Sequence, residues 1–94
     1  MNPKLLKPDL YVVARFLDVL WWDTSGMKKT QLQMSVRLNY QNFLKYLDWL
    51  EQHGLVKIVE DKEGSERIEL SEKGMDAHRR LVEWVKETIK GLKM

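Results

Sequence analysis

Lys28, Lys29 and Thr30 stand together where a helix is expected to begin, a position that suits an anion. Free amides and the helix dipole favour phosphate at a helix N-terminus, and two ammonium groups add point charge. The segment around them is one-signed. Residues 24–47 carry Lys28, Lys29, Arg37 and Lys45 and no acid at all. A surface built for solubility mixes its charges, whereas a footprint for a polyanion gathers one sign. Arg37 and Lys45 therefore join the phosphate-contact set. Gln41 and Asn42 lie in the same segment, and side-chain amides of this kind make paired hydrogen bonds to adenine in the major groove. Tyr40 beside them is expected in the core or at its rim, with a hydroxyl able to reach a phosphate.

Other chemistries find no support. The chain has no cysteine, which removes disulfides, thiolate metal sites and thiol nucleophiles. His53 and His78 lie 25 positions apart, and neither has a partner at metal-ligand spacing. No serine, acid or second base stands at a useful distance from either. Glu60 and Asp61 form a carboxylate pair, but in a stretch that reads as a solvated turn. The expectation is a protein that is not an enzyme and uses no cofactor or metal. Residues 48–71 hold three basic and seven acidic groups, so the positive segment abuts a negative one. The net charge of +2 hides that segregation.

These residues need elements to hold them. Pro8-Asp9 signals a helix start, and Leu10, Val13, Leu17 and Leu20 recur at helical spacing up to Trp22. Asp23 to Gly26 makes a loop, and a short second helix is expected over Lys28–Val36. Asn39 suits the N-cap of a third helix, Tyr40 to His53, whose stripe is Tyr40, Phe43, Leu47 and Leu50. Gly54 sits where a left-handed C-terminal cap belongs. Leu55 to Val59 and Arg67 to Leu70 read as strands around the polar turn Asp61–Ser65, a β-hairpin. Ser71 then caps a last helix to about Lys90, with Gly74 a blemish costing about 1 kcal/mol. At 94 residues the chain is one domain, 1–94, with core and hairpin over about 9–71 and the C-terminal helix over 72–92. The longest apolar run, Leu10 to Ala14, is far short of a membrane span, and no secretory h-region opens the chain. A cytoplasmic, nucleoid-associated protein is expected.

The fold class is thus mainly α with a small β-hairpin, in the order helix, helix, helix, hairpin, helix. A short helix, a tight turn, a longer helix and a hairpin make the winged helix-turn-helix plan, with the third helix as recognition helix. Trp21, Trp22, Trp49 and Trp84 fall on or beside apolar stripes, so they are expected in the core or at a subunit interface. Met75, His78, Val82, Val85, Ile89 and Leu92 follow at alternating spacings of three and four, a heptad seam of the kind that pairs two helices. His78, Val82, Val85, Ile89 and Leu92 are the expected dimer contacts.

Several runs carry a family resemblance. Met27-Lys28-Lys29-Thr30-Gln31-Leu32, Leu38-Asn39-Tyr40, Phe43 to Leu50, Gly54-Leu55-Val56 and Ile68 to Gly74 together resemble small archaeal winged-helix proteins. Some of those are dimeric chromatin-type proteins and others transcriptional regulators. The resemblance covers about residues 9–85 and implies binding of double-stranded DNA by a homodimer whose last helix pairs with its twin. The expected mechanism is insertion of the Asn39–Asp48 face into the major groove, with Lys28, Lys29 and Arg37 on flanking phosphates. Two departures weaken nonspecific affinity. Gln41, Asn42 and Leu44 stand where relatives often carry lysine, and the wing from Glu60 to Arg67 holds four acids and two bases. The alternative is a winged-helix module that binds protein and not DNA, with the tryptophans as anchors.

Overall fold

The chain forms α1 (Leu10–Trp21), α2 (Lys29–Val36), α3 (Tyr40–Gln52), β1 (Val56–Glu60), β2 (Glu66–Leu70) and α4 (Glu72–Ile89). A computed structural model describes residues 7–23 and 25–89, with side chains throughout except at 86, 88 and 89.

Local chemistry sets most boundaries. The Asp9 carboxylate accepts from the Tyr11 amide at 2.8 Å, and Asn39 accepts from the Asn42 amide at 2.8 Å. Ser71 Oγ accepts from the Gly74 amide at 3.0 Å, so α1, α3 and α4 each begin on a side-chain cap. At the end of α3, Gly54 takes φ +73° and two bonds close the helix. The Gly54 amide donates to Glu51 O at 3.0 Å and the Leu55 amide to Leu50 O at 2.9 Å. This is the Schellman arrangement, with Leu55 folding back toward Leu50 and both buried. Leu55 is spent on that cap, so β1 starts one residue later than the apolar pattern suggests.

The two strands pair antiparallel, Val56 opposite Leu70 and Ile58 opposite Ile68. Met27 adds a single bridge on the far side of β2, exchanging backbone bonds of 3.0 and 2.8 Å with Ile68. That bridge ties the segment leading into α2 to the hairpin.

Three helices and the hairpin close one core. Val13, Phe16, Leu17 and Leu20 of α1 meet Leu32 and Val36 of α2, and Phe43, Tyr46, Leu47 and Leu50 of α3. Phe16 stacks on Phe43 and Tyr46 with centroids 5.8 and 6.0 Å apart. The Tyr46 hydroxyl accepts from the Asp9 amide at 2.8 Å, pinning the start of α1 to α3. Tyr40, expected in the stripe, lies at its rim, 54% exposed.

No tryptophan belongs to the buried core of the described residues; Trp49 packs against it from the edge, and Trp22 and Trp84 are 76% and 57% exposed, which leaves them the interface half of the expectation. An indole is large and rarely fits wholly inside a domain this small. Gly74 is not the blemish expected. A Cβ there would lie 2.0 Å from the Leu55 carbonyl oxygen, so the first turn of α4 passes against backbone where only glycine fits.

Candidate nucleic-acid interface

Among the four helices, α2 is the one without an acceptor at its N-cap. Lys28 occupies that position, in extended backbone at φ −72°, ψ 153°, and an ammonium has no lone pair to offer. Gln31 Oε1 reaches back to accept from the Lys28 amide at 3.2 Å. The amides of the first turn beyond it keep the outward orientation that favours an anion. Lys28 and Thr30 are exposed beside them and Lys29 is half-buried.

The turn from α2 to α3 is held by side chains that donate to its backbone carbonyls. Arg15 Nη1 donates to Val36 O at 2.7 Å, and Gln33 Nε2 donates to Leu38 O at 3.2 Å. Between them Arg37 adopts φ +60°, ψ +46°, the described non-glycine residue in left-handed backbone. Its amide donates to Gln33 O at 3.0 Å while its side chain is exposed.

On α3 the buried residues Phe43, Tyr46, Leu47 and Leu50 leave Gln41, Asn42, Lys45 and Asp48 facing out. The Asn39 amide oxygen is committed to capping α3. Asp48 closes the basic stretch and accepts from Gln52 Nε2 at 3.0 Å.

Charge pairing is uneven over the described residues. Lys57, Arg67, Arg79 and Arg80 each meet a carboxylate of Glu69, Asp61 or Asp76. Lys28, Lys29, Arg37 and Lys45 make no ion pair among the described residues, and Lys7, Arg15, Lys62 and Lys73 outside this segment also lack one.

The wing is acidic and stiff. Asp61 accepts from the Glu63 and Ser65 amides at 2.9 Å and from Arg67 Nε at 3.3 Å. The Ser65 amide foremost, opposed by desolvation and aided by the Glu63 amide and the Arg67 guanidinium, holds its carboxyl below the usual carboxylate range. Arg67 Nη1 also reaches Gly26 O at 3.1 Å. Arg67 is thus engaged inside the fold, while Glu60, Glu63 and Glu66 remain exposed.

The expected dimer residues divide. His78 turns inward, 6% exposed, where Nε2 meets Asp18 Oδ1 at 3.0 Å and the ring stacks on Trp21 at 4.5 Å. It joins α4 to α1 within one subunit. Val82 is half-buried and Val85 is 39% exposed. Leu92 lies outside the described residues, as does the side chain of Ile89. Sequence reasoning also passed over Met34, which stands exposed on α2 within the acid-free segment. Its weak helical periodicity there is the signal that its side chain faces out.

Residues 12–90 match the winged helix-turn-helix family. No curated protein matches the chain. Among solved structures, the chain is similar to MepR, a transcription regulator of the multidrug efflux pump MepA of Staphylococcus aureus. The TM-score is 0.78 at 16% identity, covering 86% of this chain and 61% of that one. It is similar also to a MarR-family transcriptional regulator from Silicibacter pomeroyi, with TM-score 0.64 and 26% identity over 74% of this chain and 47% of that one. F93 from STIV, a winged-helix DNA-binding protein, gives TM-score 0.64 at 20% identity, covering 88% of this chain and 92% of that one. The chain therefore spans about half to three fifths of the two regulators and nearly the whole of F93. Four helices, a two-stranded antiparallel wing and the match over residues 12–90 place the chain in the winged helix-turn-helix family.

Proposed function

We propose that the protein binds double-stranded DNA and regulates transcription, as a homodimer. The observation that carries this reading is the one-signed basic surface of residues 24–47, which holds four cations and no acid. Lys28, Lys29, Arg37 and Lys45 lack acidic partners among the described residues, around a helix start with no side-chain acceptor at its N-cap. The outward face of α3 enters the major groove, Gln41 and Asn42 read base edges, and the four cations and Thr30 hold flanking phosphates. The acidic wing tip stays clear of the backbone. Similarity to regulators and to a DNA-binding protein of almost the same extent supports the reading. Val82, Trp84 and Val85 of α4 continue an apolar face outward, and pairing there with a second copy would present two α3 helices to two half-sites.

A mobility-shift titration on duplex DNA across salt concentrations tests it. Four cations per protomer correspond to about six to eight phosphates per dimer, a slope of log affinity on log salt of roughly −5 to −7. A slope near zero, or no complex at low salt, overturns the proposal. Capture of a protein partner by a chain that leaves DNA unbound would favour a protein-binding module instead, with exposed Trp22 and Trp84 as anchors.

A further inference from the structure

A cleft of about 250 Å³ opens at the root of the wing, and none of its lining residues belongs to the proposed DNA-binding set. It is lined by Leu20, Trp21 and Asp23 from the end of α1 and its loop, Glu69 and Leu70 of β2, and Met75 of α4. Leu20 and Leu70 are core residues and form an apolar floor. One wall is the Trp21 indole, braced from behind by the His78 ring lying 4.5 Å away and nearly parallel, at 16°. The charged groups of the lining are two carboxylates, Asp23 and Glu69, and no cation. Asp23 Oδ1 accepts from the Ser25 amide and hydroxyl at 3.0 and 3.2 Å, which fixes its carboxylate at the mouth. Glu69 meets Lys57 Nζ at 4.0 Å, a long pair whose lysine is 57% exposed and reaches in from outside the lining.

We infer that this cleft binds a small organic cation with an apolar body, an amine or quaternary ammonium. An aromatic face, an apolar floor and carboxylates at the mouth complement such a ligand in each part. The ring quadrupole attracts the cationic head, the carboxylates add Coulomb attraction, and Leu20, Leu70 and Met75 take up the apolar remainder. Anionic ligands meet two like charges at the mouth, and neutral apolar ones forgo the electrostatic part. The volume limits the occupant to about the size of a single substituted ring. The site shares no residue with the proposed DNA-binding set and stands whether or not that set binds DNA.

The test is an NMR titration of the full chain with benzyltrimethylammonium, following the four indole N–H signals, with phenylacetate as an anion of similar size. The Trp21 signal is identified by its loss in Trp21→Phe. The expected result is saturable movement of that signal by the cation, with a dissociation constant near or below about 1 mM. Phenylacetate should move it at least about tenfold less effectively. Asp23→Asn and Glu69→Gln, which keep the hydrogen-bonding shapes, should each weaken the cation about tenfold. Met75→Lys places an ammonium in the cleft at an already exposed position and should abolish binding while leaving the other indole signals in place. Equal binding of phenylacetate, no movement of the Trp21 signal at about 10 mM cation, or full binding by Met75→Lys each overturns the assignment.

Discussion

Arg37→Gly should raise the stability of the fold and weaken its hold on DNA. Arg37 sits at φ +60°, ψ +46°, where an L side chain crowds the following carbonyl at a cost of about 1–2 kcal/mol. Glycine relieves that crowding but adds about 0.5–1 kcal/mol of chain freedom to the unfolded state. The net gain is about 0.5–1 kcal/mol, or about 2–8 °C in Tm for a domain of this size. The backbone bond from residue 37 to Gln33 O survives, and no hydrogen bond or ion pair of the Arg37 side chain opposes the gain among the described residues. On DNA the same change removes one phosphate contact per protomer, so the salt slope should fall by roughly two per dimer. Arg37→Ala separates the effects, because it loses the charge and keeps a Cβ in the strained region. Thermal denaturation and a salt-dependent mobility shift, run on wild type and both variants, read the two quantities independently. A destabilised Arg37→Gly refutes the strain argument, and an unchanged slope in both variants refutes the phosphate contact.

Gln41→Ala and Asn42→Ala should cost about 1–3 kcal/mol on a preferred duplex and little on others, whereas Lys29→Ala should weaken all duplexes alike; competition binding on selected and scrambled sites distinguishes them. Tyr46→Phe leaves the Asp9 amide without its acceptor and should cost about 1 kcal/mol in chemical denaturation. Asp61 carries a lowered pKa, so its contribution to the wing is complete above the unfolded carboxyl value and disappears as pH falls through the lower folded one. The Ser65 amide resonance should shift in that acid window in wild type and not in Asp61→Asn. Val85→Asp should give monomers by sedimentation that keep the helical spectrum of a wild-type dimer, while a monomeric wild type at tens of micromolar would remove α4 as the interface.

The elements and their order were legible because their signals are local. Asp9, Asn39, Ser71 and Gly54 act within four residues of themselves, and each does so where the sequence places it. Contacts across the fold were not legible. The sequence shows Gly74 only as a poor helix former, and its real constraint comes from Leu55, nineteen positions earlier. Glycine-to-alanine there would be read as stabilising by about 1 kcal/mol from propensity. The overlap with backbone predicts destabilisation of about 1–3 kcal/mol or more instead. His78 fails for the same reason. Its spacing fits a seam, but Asp18 and Trp21, on a helix some sixty positions away, draw it inside. The basic segment was visible as composition. That its cations stay unpaired while Lys57, Arg67, Arg79 and Arg80 find carboxylates is a property of the assembled surface.

The absent Cβ at Gly74 also makes a pivot. Helix α4 runs 18 residues, about 27 Å, from a first turn seated directly on the Leu55 carbonyl. Its shaft is fixed at the near end and projects beyond the core at the other. Tilting it by about 10° at the pivot would swing its far end by roughly 5 Å, about the height of one helical turn. Two seats resist such a tilt: Gly74 against the Leu55 peptide, whose oxygen also accepts from the Ser71 amide at 3.0 Å, and His78 against Asp18 and Trp21 of α1. The aim of the whole lever, and of whatever grips its far end, is therefore set within its first two turns, beside the C-terminus of α3 and along α1.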